Sequence, residues 1–141
     1  MAGEEVSKVY CWKVESDELD IFMASSARGA MRIGMDLEKG TDCLDFFKGI
    51  FPESRLIKDE YMNRYLLDAV RAVLGGGSVP GDLPIDIKST PFQGMVWEAV
   101  ARIPFGQKMT YGEVAALLGR PGGARAVGQA MNRNPLPLIY P

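Results

Sequence analysis

Few side chains in this 141-residue sequence could do covalent chemistry. The chain has two cysteines, Cys11 and Cys43, and no histidine. The missing histidine excludes Ser-His-Asp and Cys-His nucleophiles and histidine metal sites within these residues. Two cysteines form neither a disulfide framework nor a structural zinc site. We therefore expect buried, reduced thiols in a cytosolic protein, with no metal and no cofactor.

A predicted helix over 122–132 combines small residues with one long cation. Four of its first five residues are Gly or Ala, and the remaining one is Arg125. Because each glycine costs a helix about 1 kcal/mol, some other requirement must favour this composition. Small residues could let a second helix approach closely. Alternatively, a bare helix face could enter a tight groove with Arg125 projecting from it, and the basic charge of this half favours that interpretation.

Charge is divided unevenly along the chain. Residues 1–90 hold 11 basic and 16 acidic side chains, a net charge of −5. Residues 91–141 hold 5 basic and 2 acidic side chains, a net charge of +3. An acidic half followed by a basic half predicts two units, the second of which meets an anion. The polar, acidic N-terminus predicts no signal peptide, and no apolar run reaches the roughly 18 residues of a membrane span.

The elements that must position these residues follow from periodicity. Strands of an antiparallel meander are predicted over 6–14, 19–24 and 31–37. Helices are predicted over 41–51 and 59–74, the second capped by Asp59. A glycine-rich linker over 75–81 and a short strand over 85–87 follow. This pattern predicts an α+β fold with an N-terminal domain over 1–74, a linker and connecting strand over 75–89, and a second domain over 90–141.

Local signals become dense from Thr90 onward. Thr90 with Gln93, and Thr110 with Glu113, form two capping boxes that open helices. Phe105 and Gly106 predict the turn between these helices, and a short glycine-containing connection leads to the helix over 122–132. Helix, short turn, helix is typical of a helix-turn-helix unit.

The last residues of the sequence predict a different kind of segment. Three prolines in 135–141 favour a rigid extended chain. The apolar side chains of 136–140 resemble buried residues that lack a covering partner, so we expect the sequence to stop in mid-domain.

Short motifs between Thr90 and Pro141 occur in a specific order. They are Pro91-Phe92-Gln93, Val96-Trp97, Ile103-Pro104, Phe105-Gly106, Thr110-Tyr111-Gly112-Glu113-Val114-Ala115, Ala124-Arg125-Ala126-Val127-Gly128, Ala130-Met131 and Asn134-Pro135-Leu136-Pro137. With these motifs the second half closely resembles the 6-O-alkylguanine-DNA alkyltransferases, also called methylated-DNA–protein-cysteine methyltransferases. The resemblance implies a ribonuclease H-like N-terminal sheet with helices and a helical, winged helix-turn-helix-like DNA-binding domain, incomplete at its C-terminus.

The resemblance implies a suicidal DNA repair reaction by a monomer on double-stranded DNA. The helix over 122–132 would enter the minor groove, whose width of about 6 Å suits the small residues Ala124, Ala126 and Gly128. The damaged guanine is flipped into a pocket. Arg125 would then fill the vacated space in the duplex, while Tyr111 crowds the 3′ phosphate and helps rotate the nucleotide.

The resemblance also assigns residues around the pocket. Asn134 would brace the turn between the recognition helix and the active site, and Met131 and Pro137 would line the pocket. Gln93 lies where the family contacts phosphate through backbone N–H groups at a helix N-terminus.

The sequence departs from the family pattern at its end. The family continues from the proline matching Pro141 with Cys-His-Arg, and that cysteine, as a thiolate, accepts the alkyl group irreversibly. Neither Cys11 nor Cys43 matches this motif. The sequence as it stands therefore lacks the nucleophile, is expected to be inactive, and is expected to be a fragment, a truncated gene product or the ordered part of a longer chain.

Three functions remain open at this point. The first is an alkyltransferase whose cysteine lies immediately beyond residue 141. The second is a non-catalytic damage sensor that binds alkylguanine, although sensors of this family lack an N-terminal domain and carry tryptophan in place of the cysteine. The third is a DNA-binding remnant or plain helix-turn-helix module without lesion specificity.

Overall fold

Four strands in the first half form one sheet, in the order β3-β2-β1-β4. The structure is a computed structural model that describes residues 6–104 and 106–139. β1 (Lys8–Glu15), β2 (Asp20–Ser26) and β3 (Gly29–Asp36) pair antiparallel, which confirms the predicted meander. The predictions for the extreme N-terminus, for the Phe105 turn and for Tyr140 and Pro141 lie outside the described residues.

The fourth strand differs from the sequence-based expectation. β4 (Arg55–Lys58) pairs parallel with β1, so the sheet is mixed rather than purely antiparallel. Only four residues form this strand, too few for an alternating pattern to stand out. The predicted strand over 85–87 is reduced to one isolated bridge between Ile85 and Ala30.

The residues that the structure describes also form five helices: α1 (Cys43–Lys48), α2 (Arg64–Leu74), α3 (Pro91–Ala101), α4 (Tyr111–Leu117) and α5 (Ala124–Asn132). A 3-10 turn, Tyr61–Asn63, precedes α2. The Asp59 carboxylate accepts a hydrogen bond from the Met62 amide at 2.9 Å, so this residue caps the 3-10 turn rather than α2 itself. Among the described residues, no helix is long and apolar enough to cross a membrane.

Both capping boxes are present. Thr90 Oγ1 accepts from the Gln93 amide at 3.1 Å, and the Gln93 side chain accepts from the Thr90 amide. Thr110 and Glu113 repeat the arrangement at the start of α4. These local hydrogen bonds satisfy N–H groups that a helix otherwise leaves unpaired.

The main hydrophobic core runs across the predicted domain boundary. It joins side chains of β2 and β3 to α2, α3, α4 and α5. A smaller cluster covers the opposite face of the sheet and includes Cys11, Phe22, Cys43 and Phe47. One apolar core is therefore shared by both halves. The predicted division into 1–74, 75–89 and 90–141 stays a prediction.

The segment after α5 corrects two expectations. Leu136 and Ile139 are buried in the main core, so these side chains do have a covering partner within the described residues. The Ile139 amide donates to the Leu136 carbonyl at 3.2 Å, which makes the segment a turn rather than an extended chain. The prolines therefore exclude a helix but not a tight turn.

Candidate nucleic-acid interface

One face of α5 is exposed and the opposite face is buried. Arg125 and Ala126 are exposed, whereas Val127 and Ala130 lie in the core. Because residues three or four apart share a helix face, the burial of Val127 and Ala130 directs the Arg125 side chain outward. Ala124 is half-buried at the first position of the helix. The exposed residues of α5 are Arg125, Ala126, Gln129 and Asn132, so the outer face is polar and carries one guanidinium.

Tyr111, the first residue of α4, lies directly against α5. A Cβ atom added to Gly128 would stand 3.2 Å from both Cδ2 and Cε2 of the Tyr111 ring, closer than ordinary van der Waals contact. Tyr111 nonetheless keeps half of its surface exposed. The absence of a side chain at Gly128 thus allows the ring to sit beside the exposed face of α5.

The small residues at the start of α5 differ in their surroundings, and the entry of this helix into a groove stays a prediction. At Gly128 and at Gly123, a Cβ would crowd another part of the protein; at Gly123 the nearest atom is the Arg120 carbonyl oxygen, 2.9 Å away. Ala126, by contrast, is exposed to solvent. Close packing therefore accounts for Gly123 and Gly128, while Ala126 keeps one exposed position of the outer face small.

Trp97 of α3 holds the C-terminal end of α5. Its indole Nε1 donates a buried hydrogen bond of 3.0 Å to the Ala130 carbonyl. Sequence reasoning identified Trp97 as an apolar residue of α3 and missed this positioning contact. The signal available was a tryptophan on a core-facing helix position, since a buried indole N–H needs an acceptor.

The turn at Asn134 is fixed from two sides. Asn134 Oδ1 accepts from the Leu136 amide at 2.8 Å, a side-chain turn of the kind that asparagine favours. The Ile33 amide of β3 donates to the Pro135 carbonyl, also at 2.8 Å. The residue predicted to brace this turn therefore does lie in it and hydrogen-bonds across it, and the sheet of the first half supports the same turn.

The remaining predicted site residues lie around this turn and at the start of α3. Met131 and Pro137 are half-buried, and Met131 packs against the main core. Gln93 is also half-buried, and its backbone N–H donates a hydrogen bond to Thr90 Oγ1 within the capping box. The Gln93 N–H is therefore not free for phosphate in this structure.

The two cysteines are buried, protonated thiols. Cys11 lies in β1 and Cys43 is the first residue of α1, and both are buried in the smaller apolar cluster between the sheet and α1. Burial, reinforced by the neighbouring Cys43 and Asp42, raises the pKa of Cys11 to about 12, and burial also raises the pKa of Cys43. Because the thiolate is the nucleophilic form, neither side chain is prepared for alkyl transfer near neutral pH.

Comparisons with known proteins show the family of this chain. A family model described as the DNA-binding domain of 6-O-methylguanine DNA methyltransferase matches residues 91–141. The methylated-DNA–protein-cysteine methyltransferase of Methanosarcina barkeri is 38% identical over 107 residues, which cover 74% of this chain and 68% of that protein. The chain belongs to the methylated-DNA–protein-cysteine methyltransferase family.

Other relatives are matched over a shorter stretch. The methylated-DNA–protein-cysteine methyltransferase of Mycobacterium bovis is 41% identical over 75 residues, or 53% of this chain and 46% of that protein. The constitutive enzyme of that name from Bacillus subtilis is 51% identical over 59 residues, or 42% of this chain and 36% of that protein. The matched stretch thus spans less than half of these two relatives.

Solved structures share the fold. The O6-methylguanine methyltransferase of Mycobacterium tuberculosis superimposes with a TM-score of 0.72 at 28% identity, covering 94% of this chain and 75% of that one. The OGT protein of the same organism in complex with DNA gives a TM-score of 0.68 at 26% identity, covering 95% and 74%. The predicted α+β fold is confirmed.

Proposed function

We propose that this chain binds double-stranded DNA through α4 and α5 and flips 6-O-alkylguanine out of the duplex for repair. The observation that carries the proposal is the arrangement on α5, where exposed Arg125 stands one turn from Gly128 and the Tyr111 ring covers Gly128. The family membership and the DNA complex of the Mycobacterium tuberculosis protein support DNA as the partner. One copy of the chain would act on one lesion.

Three features of this surface suit base flipping. Ala126 adds little bulk to the outer face of α5 beside Arg125, and Arg125 is long enough to occupy the space that a flipped base leaves. Tyr111 stands beside that face with half of the residue's surface exposed, available to a phosphate of the same strand. The Asn134 turn follows α5 directly and would hold the pocket next to it.

The proposed reaction transfers the alkyl carbon from guanine to sulfur. A cysteine thiolate attacks the alkyl carbon, a C–S bond forms, the C–O bond to the 6-oxygen breaks, and guanine leaves with the bonding electrons and takes up a proton. Neither Cys11 nor Cys43 suits this step, because burial raises both pKa values. We therefore place the acceptor cysteine beyond residue 141, as the resemblance implies.

A binding-only role is the second candidate. The observation that favours it is the absence of an exposed thiol among the described residues of the chain, where the cysteines are Cys11 and Cys43 and both are buried. Such a protein would recognise alkylguanine and flip it without taking the alkyl group.

Mass spectrometry of the protein that carries this chain separates the two candidates. The intact mass is measured before and after incubation with a duplex containing 6-O-methylguanine. A gain of one methyl group supports transfer. An unchanged mass with tighter binding of the methylated duplex than of the plain one supports the binding-only role. An unchanged mass with equal affinity for both duplexes contradicts both candidates.

The role of Arg125 is tested by base flipping itself. With 2-aminopurine at the target position, fluorescence rises when the base leaves the stack. We expect Arg125→Ala to reduce this signal strongly at saturating protein, while Arg102→Ala, an exposed arginine at the end of α3, leaves it unchanged. Tyr111→Phe tests the phosphate contact in the same assay. An Arg125→Ala variant that flips like the wild type would refute the assigned role.

A further inference from the structure

A groove of about 690 Å³ runs between the β2–β3 hairpin and the helical half of the molecule. Four cations line it and define what we call the basic groove: Arg28, Arg32, Lys88 and Arg133. They come from three separate segments, namely the hairpin, the linker before α3 and the end of α5. The groove therefore joins the acidic first half to the DNA-binding half.

The groove is strongly positive although most of its cations belong to a half whose net charge is −5. All four basic side chains are exposed, and within residues 6–104 and 106–139 none of them forms an ion pair. Asp86 is the one carboxylate among the lining residues, and it accepts a hydrogen bond from the Ser26 hydroxyl. The lining thus carries a net charge of +3, and among the described residues no carboxylate forms an ion pair with its cations.

The backbone holds the hairpin and the linker together. The Ala30 amide donates to the Pro84 carbonyl at 2.9 Å, and the Asp86 amide donates to the Ala30 carbonyl at 2.8 Å. Gly29 permits this contact, since a Cβ there would lie 2.4 Å from the Pro84 carbonyl carbon. Arg28 and Lys88 therefore lie on segments of fixed relative position rather than on independent loops.

The groove is continuous with the proposed DNA-binding surface. Arg133, which lines the groove, directly follows the last residue of α5. Like-charged side chains held close together without counter-ions repel one another, which is a cost that a bound polyanion removes. An open groove with four exposed cations suits a run of backbone phosphates better than a single enclosed anion.

We infer that the basic groove binds the sugar–phosphate backbone of the DNA that flanks the α5 contact, with Arg28 and Arg32 of the first half as phosphate contacts. This inference rests on the proposed function, because it takes DNA to be the partner of α5. It adds that the sheet half contributes directly to DNA affinity. These contacts carry no lesion specificity, since phosphate is the same beside plain and alkylated guanine.

The test is the salt dependence of DNA binding by the double variant Arg28→Gln/Arg32→Gln. Fluorescence anisotropy gives the affinity for a plain and a 6-O-methylguanine duplex over a range of salt concentrations. Each neutralised phosphate contributes about 0.9 to the slope of log K against log salt for B-DNA, so we expect the slope to fall by about 1.8. Affinity should fall by the same factor for both duplexes.

The matched control is Lys48→Gln/Arg71→Gln, which removes the same charge from exposed positions on α1 and α2 outside the groove. A groove variant with the slope of this control overturns the inference, as does a loss confined to the alkylated duplex. If the wild type binds both duplexes equally and the groove variant still lowers the slope, the proposed function fails and the groove inference stands. A wild type that binds neither duplex overturns both.

Discussion

At the scale of single residues, the candidate interface is shaped by the Tyr111 ring and by the missing side chain of Gly128. The Tyr111 ring occupies the space that any Cβ at position 128 would need, at 3.2 Å. Glycine costs a helix interior about 1 kcal/mol relative to alanine, so α5 gives up intrinsic stability at this position. What the glycine provides is a place for the tyrosine next to Arg125.

A double-mutant cycle between Gly128 and Tyr111 measures this trade. In a Tyr111→Ala background, we expect Gly128→Ala to stabilise the protein by about 0.5–1 kcal/mol, since the helix gains propensity without a clash. With Tyr111 present the gain should be smaller, because the ring must shift by a few tenths of an ångström. Urea unfolding of all four proteins gives the free energies. Equal effects in both backgrounds would contradict the contact.

At the scale of elements, a buried carboxylate holds the start of β2. Asp20 is fully buried; its Oδ2 accepts from the Gly40 amide at 3.1 Å, and its Oδ1 lies 3.2 Å from Lys39 Nζ. Lys13 Nζ lies 3.5 Å from Oδ2. The Gly40 hydrogen bond, with the two lysines, holds the pKa of Asp20 below its usual value in spite of burial. This network fastens the loop after β3 to the sheet.

The Asp20 network makes stability depend on pH in one direction. Since the folded pKa lies below the unfolded value of about 3.9, the ionised carboxylate stabilises the fold above that pH, and the contribution is lost as pH falls through the folded pKa. We expect Asp20→Asn to lower the urea midpoint at pH 7 and to differ progressively less from the wild type below about pH 4. Asp68→Asn, at an exposed position of α2, is the control. A difference from wild type that is independent of pH would contradict the assigned cause.

The elements also show which features a sequence predicts. The capping box of Thr90 and Gln93 spans three residues, so the pattern alone specifies it, and the structure has it. β4 depends on pairing with β1, more than 40 positions earlier in the chain, and its four residues carry no periodic signal. The sequence does not show which residues pack on Ile139, because its partners in the core lie far away along the chain. Short-range order was therefore predictable, whereas contacts between distant segments required the fold.

The candidate site follows the same division. Tyr111, Arg125 and Asn134 could be named from motifs, and they lie on or next to α5. The contact between Tyr111 and Gly128 could not be predicted, because it depends on how α4 packs on α5. The basic groove could not be predicted either, because the summed charge of residues 1–90 is negative and only the hairpin geometry gathers Arg28 and Arg32 beside Arg133.

At the scale of the whole molecule, the two halves are joined by one core and by a backbone hydrogen bond at the candidate site. β2, β3 and α2 share their apolar cluster with α3, α4 and α5. The Ile33 amide binds the Pro135 carbonyl, so the sheet directly supports the turn at Asn134. A substitution that destabilises the second half should therefore also destabilise the first half.

The two tryptophans make this coupling measurable, since Trp12 lies in β1 and Trp97 in α3. Trp97→Phe removes the hydrogen bond to Ala130 and should cost about 1 kcal/mol or more, as is usual for a buried hydrogen bond. Trp12 is then the sole tryptophan and reports the unfolding of the sheet. Because the core is shared, we expect the Trp12 fluorescence of the variant to change at a lower urea concentration than the far-ultraviolet circular dichroism of the wild type. In the variant, the fluorescence and circular dichroism transitions should coincide. The contrary result for the Trp97→Phe variant would be a Trp12 transition at the wild-type urea concentration and a circular dichroism signal that unfolds in two steps. The two halves would then unfold independently, although the sheet hydrogen-bonds to the turn at Asn134.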